Sequence, residues 1–193
     1  MMRKKLSPAV IVVCLLAITA SILCVMFAMQ ASAMRRVYGS EIRRDIFEIN
    51  TLTETLLKNL PEDASEASET IHTAIDDAAL LFEAGALERC DLGGRIHEQY
   101  DTLRNAAIRA VRAYAEASVS AYETEWSEEA LQKLAQEARL AVKQLRSATQ
   151  YLMSELNSTD VNQMNRAYEQ AMDANAKVYK RLTHYIENEL PQS

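Results

Sequence analysis

The stretch AVIVVCLLAITASILCVMFAM, residues 9–29, lies inside a run of 29 residues without a charge, from Leu6 to Met34. At about 1.5 Å per residue, a helix of this length measures roughly 31 Å, the thickness of a bilayer hydrocarbon core. Hydrocarbon offers no hydrogen bonds to peptide groups, so a lone segment that crosses it must be helical. Thr19 and Ser21 are short enough to bond back to that helix and imply no pore. Arg3, Lys4 and Lys5 precede the run, and Arg35 and Arg36 follow it.

These flanks predict a basic cytoplasmic N-terminus over residues 1–8, a signal-anchor helix over 9–33 and an extracytoplasmic body over 34–193. The alternative is a secretory signal cut after Ala33, since Ala31-Ser32-Ala33 has the small-residue pattern of a cleavage site. Two features favour the anchor. The apolar run exceeds the usual h-region of about 7–15 residues, and Arg35 and Arg36 would stand directly behind the cut. Basic residues on both flanks pull the orientation both ways, and the compact N-terminal cluster favours that end inside.

The chain has 21 Lys+Arg and 27 Asp+Glu, and with Arg3, Lys4 and Lys5 set aside the body carries 18 basic residues against the same 27 acidic ones. Such a surface repels phosphate backbones, which excludes nucleic acid as an expected partner. Cys90 is the one thiol outside the span. A disulfide within the body is therefore impossible, and packing must hold it together.

Between Arg95 and Leu190 there is neither glycine nor proline, and no segment alternates with period two. The body is thus expected to be all-α. Helices are predicted at about 35–60, 64–88, 95–123, 128–157 and 160–189. In the first, Ile42, Ile46, Ile49, Leu52, Leu56 and Leu60 recur three or four apart, and Pro61 ends it. Asp63 and Glu66 form a capping box for the second, and Gly93-Gly94 closes it. Ser127 suits an N-cap for the fourth, with Trp126 stapling onto Leu131. Asp160 and Gln163 make a further box for the fifth, whose stripe is Val161, Met164, Tyr168, Ala171, Asn175, Val178, Leu182 and Tyr185. The stripes repeat every seven residues, as in coiled coils. That favours left-handed packing at about +20° in an elongated up-down antiparallel bundle of four to five helices. A length of roughly 40–45 Å follows from the rise per residue.

The chemical inventory is thin. Glu69 and His72 have the E-x-x-H spacing of di-iron bundles, but neither His97 nor His184 supplies the second half of that motif. No base stands near an activated nucleophile, and Gly93-Gly94 is too short for a phosphate cradle. No catalytic residue, cofactor or metal is expected, and the chain is not expected to be an enzyme. Asn157-Ser158-Thr159 is a glycosylation triplet of a kind that arises often by chance.

Tyr100, Tyr114, Tyr168, Asn175 and Tyr185 fall on predicted inner faces, where each polar atom needs a partner. They pair with one another to set packing register, or they line a pocket for a small ligand with Arg104, Arg109 or Arg112 supplying charge. The first is the commoner use of buried polar groups. The solvated face is the simpler place for Arg109 and Arg112.

In layout the chain resembles the extracytoplasmic sensor part of bacterial chemoreceptors, a first span running into an up-down helical bundle. The resemblance implies a ligand-sensing module and transfers no ligand-binding residue. Two functions are therefore expected. The first is a membrane-anchored bundle acting through protein partners or self-association, as a scaffold or accessory subunit at the cell envelope. The second is a small-ligand sensor.

Overall fold

The computed structural model describes residues 8–62, 98–120, 127–171, 173 and 175–191. Among these there is no strand. The described helices are α1 (Pro8–Asn59), α2 (Glu98–Ser120), α3 (Glu128–Glu155), α4 (Val161–Ala171) and α5 (Lys177–Asn188). The predicted 64–88 helix, Glu69, His72, Cys90, Gly93, Gly94, His97 and Trp126 lie outside the described residues.

The apolar stretch and the first body helix are one element. α1 runs 52 residues without a break, about 78 Å at the helical rise. Its most apolar 18-residue window has a mean hydropathy of 3.0, and none of that window is buried against the body. Thr19 and Ser21 donate to Leu15 and Ala17 carbonyls at 2.9 and 2.8 Å, so neither hydroxyl is left open. Beyond Tyr38 the pattern reverses, and Ile42, Ile46, Ile49, Leu56 and Leu60 are buried on one face. Leu52 is only half-buried.

The end of α1 is held by a residue far away in sequence. The Arg139 guanidinium on α3 donates to the Leu57 carbonyl at 3.2 Å, to the Leu60 carbonyl, and to the Glu62 carboxylate at 2.9 Å. A fixed cation on the last carbonyls satisfies orphan acceptors and opposes the negative end of the helix dipole. Gln132 adds a bond to the Glu62 carbonyl at 3.0 Å. Arg139→Met keeps much of the apolar stem and removes these bonds. It is expected to cost about 2 kcal/mol, read by denaturant unfolding. An unchanged midpoint would mean the cap contributes nothing.

Cross-helix pairs set the directions. Arg146 meets Glu54 at 3.2 Å one side of the Arg139 cap, so α3 runs antiparallel to α1. Lys58 and Arg146 together hold the Glu54 carboxyl below the usual glutamate value, the lysine bond being the larger cause. Tyr100, near the start of α2, bonds Thr149, near the end of α3, so that pair is antiparallel too. Arg181 pairs with Glu155, Tyr185 stacks on Tyr151, and Gln144 bonds the Pro191 carbonyl, which makes α5 antiparallel to α3. α3 is central. It touches α1, α2 and α5, while α4 packs mainly on α1.

Ser127 caps α3 as its sequence predicts, accepting from the Ala130 amide at 3.2 Å, with Glu128 and Glu129 in the first turn. The Asp160 box forms only in part. Asp160 accepts from the Asn162 amide at 2.8 Å, but its own amide goes to Ser158 Oγ at 3.2 Å rather than to Gln163.

The predicted 160–189 helix is two helices. Asp173 accepts from the Asn175 amide at 2.9 Å and from the Asn175 side chain at 3.2 Å. Such an Asx turn competes directly with the helical ladder, and α5 restarts after it at Lys177. Asn175 is therefore exposed in the turn instead of buried at a core position. Val161, expected on the inner stripe, is 52% exposed at the start of α4.

Candidate functional site

The packing that builds the core also scatters the polar groups that its stripes carry. Tyr100 is fully buried, and its hydroxyl lies 3.0 Å from Thr149 Oγ1. Thr149 already donates to the Leu145 carbonyl at 2.8 Å, so the tyrosine is the donor in that pair. Tyr114 is buried fourteen residues further along α2, about 21 Å away at the helical rise. Burial pushes its phenol up and a side-chain hydrogen bond with Ser118 offsets this in part, although no partner of the hydroxyl meets full hydrogen-bond geometry. Tyr168 is buried on α4 and pushed up to about 12 by desolvation, with the Arg43 guanidinium of α1 pulling weakly the other way. Tyr185 is half-buried and stacks on Tyr151 at 4.2 Å between ring centres and 9° between planes.

Tyr100 and Tyr185 both reach α3, at Thr149 and Tyr151, while Tyr168 faces Arg43 of α1, Tyr114 lies further along α2 and Asn175 is exposed, so the five do not converge on one site. Arg109 and Arg112 are exposed, and Arg104 is half-buried beside Asp101 at 3.5 Å.

The two buried phenols on α2 are expected to respond oppositely to losing their hydroxyls. Tyr100→Phe removes a satisfied bond and should cost about 1 kcal/mol in denaturant unfolding. Tyr114→Phe removes a buried hydroxyl whose contact with Ser118 falls short of a full hydrogen bond, and should be neutral or stabilising. Equal losses at both positions would overturn this assignment.

A concave site does exist, and it lies elsewhere. An open cleft of about 520 Å³ lies between α2, α3 and α5. Leu103, Leu140, Ile186 and Leu190 supply apolar lining, while Gln99, Thr102, Gln144 and Glu187 supply polar groups. Gln99 donates to the Glu187 carboxylate, and Gln144 donates to the Pro191 carbonyl at 3.0 Å. The volume falls within the range of small-molecule sites. Periodicity within a single helix does not single out Gln99, Thr102, Gln144 and Glu187, which come from three helices.

Among the described residues no three His, Cys, Asp or Glu side chains are grouped to hold a metal ion. His184 is exposed, with Asn188 at 3.0 Å and Glu189 at 4.0 Å. No family model, curated protein or solved structure matches this chain.

Proposed function

We propose that the chain is a non-enzymatic, single-pass membrane protein whose helical body works through protein contacts, as a scaffold or accessory subunit at the cell envelope. The observation that carries this is the continuity of α1. One helix holds an apolar stretch exposed on all sides and then becomes a packed member of the body. A rigid element of that kind fixes the body's height and rotation at a lipid surface, which a partner-presenting protein needs and a diffusing one does not. In this reading residues 9–33 are an uncleaved signal-anchor. The helix passes through Ala31-Ser32-Ala33 without interruption, which favours retention over release. The N-terminus is placed inside and the body outside, in an up-down bundle of left-handed hand.

Two measurements test it. Cross-linking in native membranes followed by affinity capture should recover a partner or a self-associated form, and recovery of the monomer alone would overturn it. Cys90, as the body's sole thiol, should react in intact cells with a membrane-impermeant maleimide, with Cys90→Ser as control. Labelling only after lysis would reverse the proposed orientation.

The cleft between α2, α3 and α5 favours the sensor-like reading as the alternative. A ligand at a hundred times its Kd should stabilise the chain by about 2.7 kcal/mol. A thermal screen of amino acids, organic acids and amines that yields no shift removes that alternative.

A further inference from the structure

We propose that the arginines at the membrane exit form a binding collar for the phosphate of anionic phospholipid headgroups, completed by Arg166 from α4. The proposal rests on the membrane-anchored reading and adds a lipid preference to it.

The collar is assembled by the fold. Arg35 and Arg36 are exposed directly behind the uncharged run, where a spanning helix reaches headgroup depth. Gly39, one helical turn beyond Arg35 and on the same face, lies against the α4 backbone at Asn165. Arg166 is the next residue of α4, so a contact between positions 126 residues apart brings its exposed side chain to this end of the body. Among the described residues, Arg35 and Arg166 make no hydrogen bond or ion pair. Arg36 reaches only the Ser32 carbonyl of its own helix, at 3.4 Å. Arg43 stands half-buried with Met164 Sδ at 3.9 Å.

The acidic groups close by do not cancel this charge. Asp45 is buried, with Arg44 at 3.4 Å. Among the described residues, neither Glu41 nor Glu169 takes an ion pair with Arg35, Arg36 or Arg166. The described residues of a chain that is acidic as a whole therefore present exposed arginines at this end of the body. Every basic residue between Leu6 and Leu57 is arginine. The guanidinium fork suits phosphate oxygens in pairs, where an ammonium offers a single point of charge.

The test uses the full chain in nanodiscs of phosphatidylcholine with a rising fraction of phosphatidylglycerol, reading the thermal midpoint by circular dichroism. The wild-type midpoint should rise with the anionic fraction. Arg35→Gln and Arg166→Gln should each need about fivefold more anionic lipid for the same rise, the factor a cation contributes at such a surface. Lys4→Gln/Lys5→Gln, on the other flank, should keep the wild-type response. A flat wild-type response, or arginine variants that respond like wild type, would overturn the collar alone. A chain that fails to enter the discs would overturn the anchor and the collar together. Inorganic phosphate that produces the full rise in purely zwitterionic discs would replace the lipid by a free-phosphate site.

Discussion

Gly39→Val is expected to lower the stability of the folded chain by about 3 kcal/mol, and Gly39→Ala by a smaller amount of the same sign. The sign is the informative part. Within an ordinary helix a glycine costs up to about 1 kcal/mol relative to alanine, so filling it normally stabilises. At Gly39 an added Cβ would meet the Asn165 carbonyl oxygen at 1.9 Å and its carbon at 2.8 Å, with Glu169 Cβ at 3.3 Å. The first two are backbone atoms, so no rotamer change relieves the overlap. α4 would have to lift from α1, and Tyr168 and Ala171 are buried on α4. Ser40→Ala, one position on, gives the control for helix propensity and should change little. Thermal unfolding of the three variants followed at 222 nm decides the matter. A Gly39→Ala protein that melts above wild type would show that α4 does not cross there.

That crossing also marks what the sequence could and could not disclose. The apolar run, the buried stripe from Ile42 to Leu60, the stop at Pro61 and the Ser127 cap were legible because each follows from local physics. Composition, a 3.6-residue period, a missing amide proton and a hydroxyl before two glutamates each suffice alone. Gly39 carries no local signal of its role, which comes from a helix more than a hundred residues later. Arg139 carries none either, because the carbonyls it caps lie about eighty residues away in sequence. The α4–α5 break was misjudged because the 3–4 spacing continues through Asn175, and periodicity ignores the Asx turn that Asp173 makes. A signal was present in Asp173-x-Asn175, two residues that each favour a turn over a helix. The tyrosines were identified as inward at Tyr100, Tyr114 and Tyr168, but which of them share a neighbourhood depends on helix order and register. The cleft was illegible for a related reason: its lining residues come from three helices, and the spacing within one helix does not say which others close it.

Raising the pH from 9 to 12 is expected to remove about 2–3 kcal/mol of stability through Tyr168 alone. An unfolded chain loses a phenolic proton near pH 10. In the folded chain desolvation holds the Tyr168 proton until about pH 12. Between those values only the unfolded state is ionised, so its free energy falls while that of the folded state does not. The contribution is intact below pH 10 and is lost progressively up to the folded value, at about 1.4 kcal/mol per pH unit. Tyr114 adds a loss in the same direction, because burial raises its phenol too. Tyr168→Phe separates these causes, since it keeps the ring and deletes only the titrating group. Its melting temperature should fall less steeply than wild type between pH 10 and 12, while the two curves run parallel from pH 7 to 9. Parallel curves across the whole range would mean that the hydroxyl reaches solvent, and that α4 does not seal the Tyr168 ring against α1.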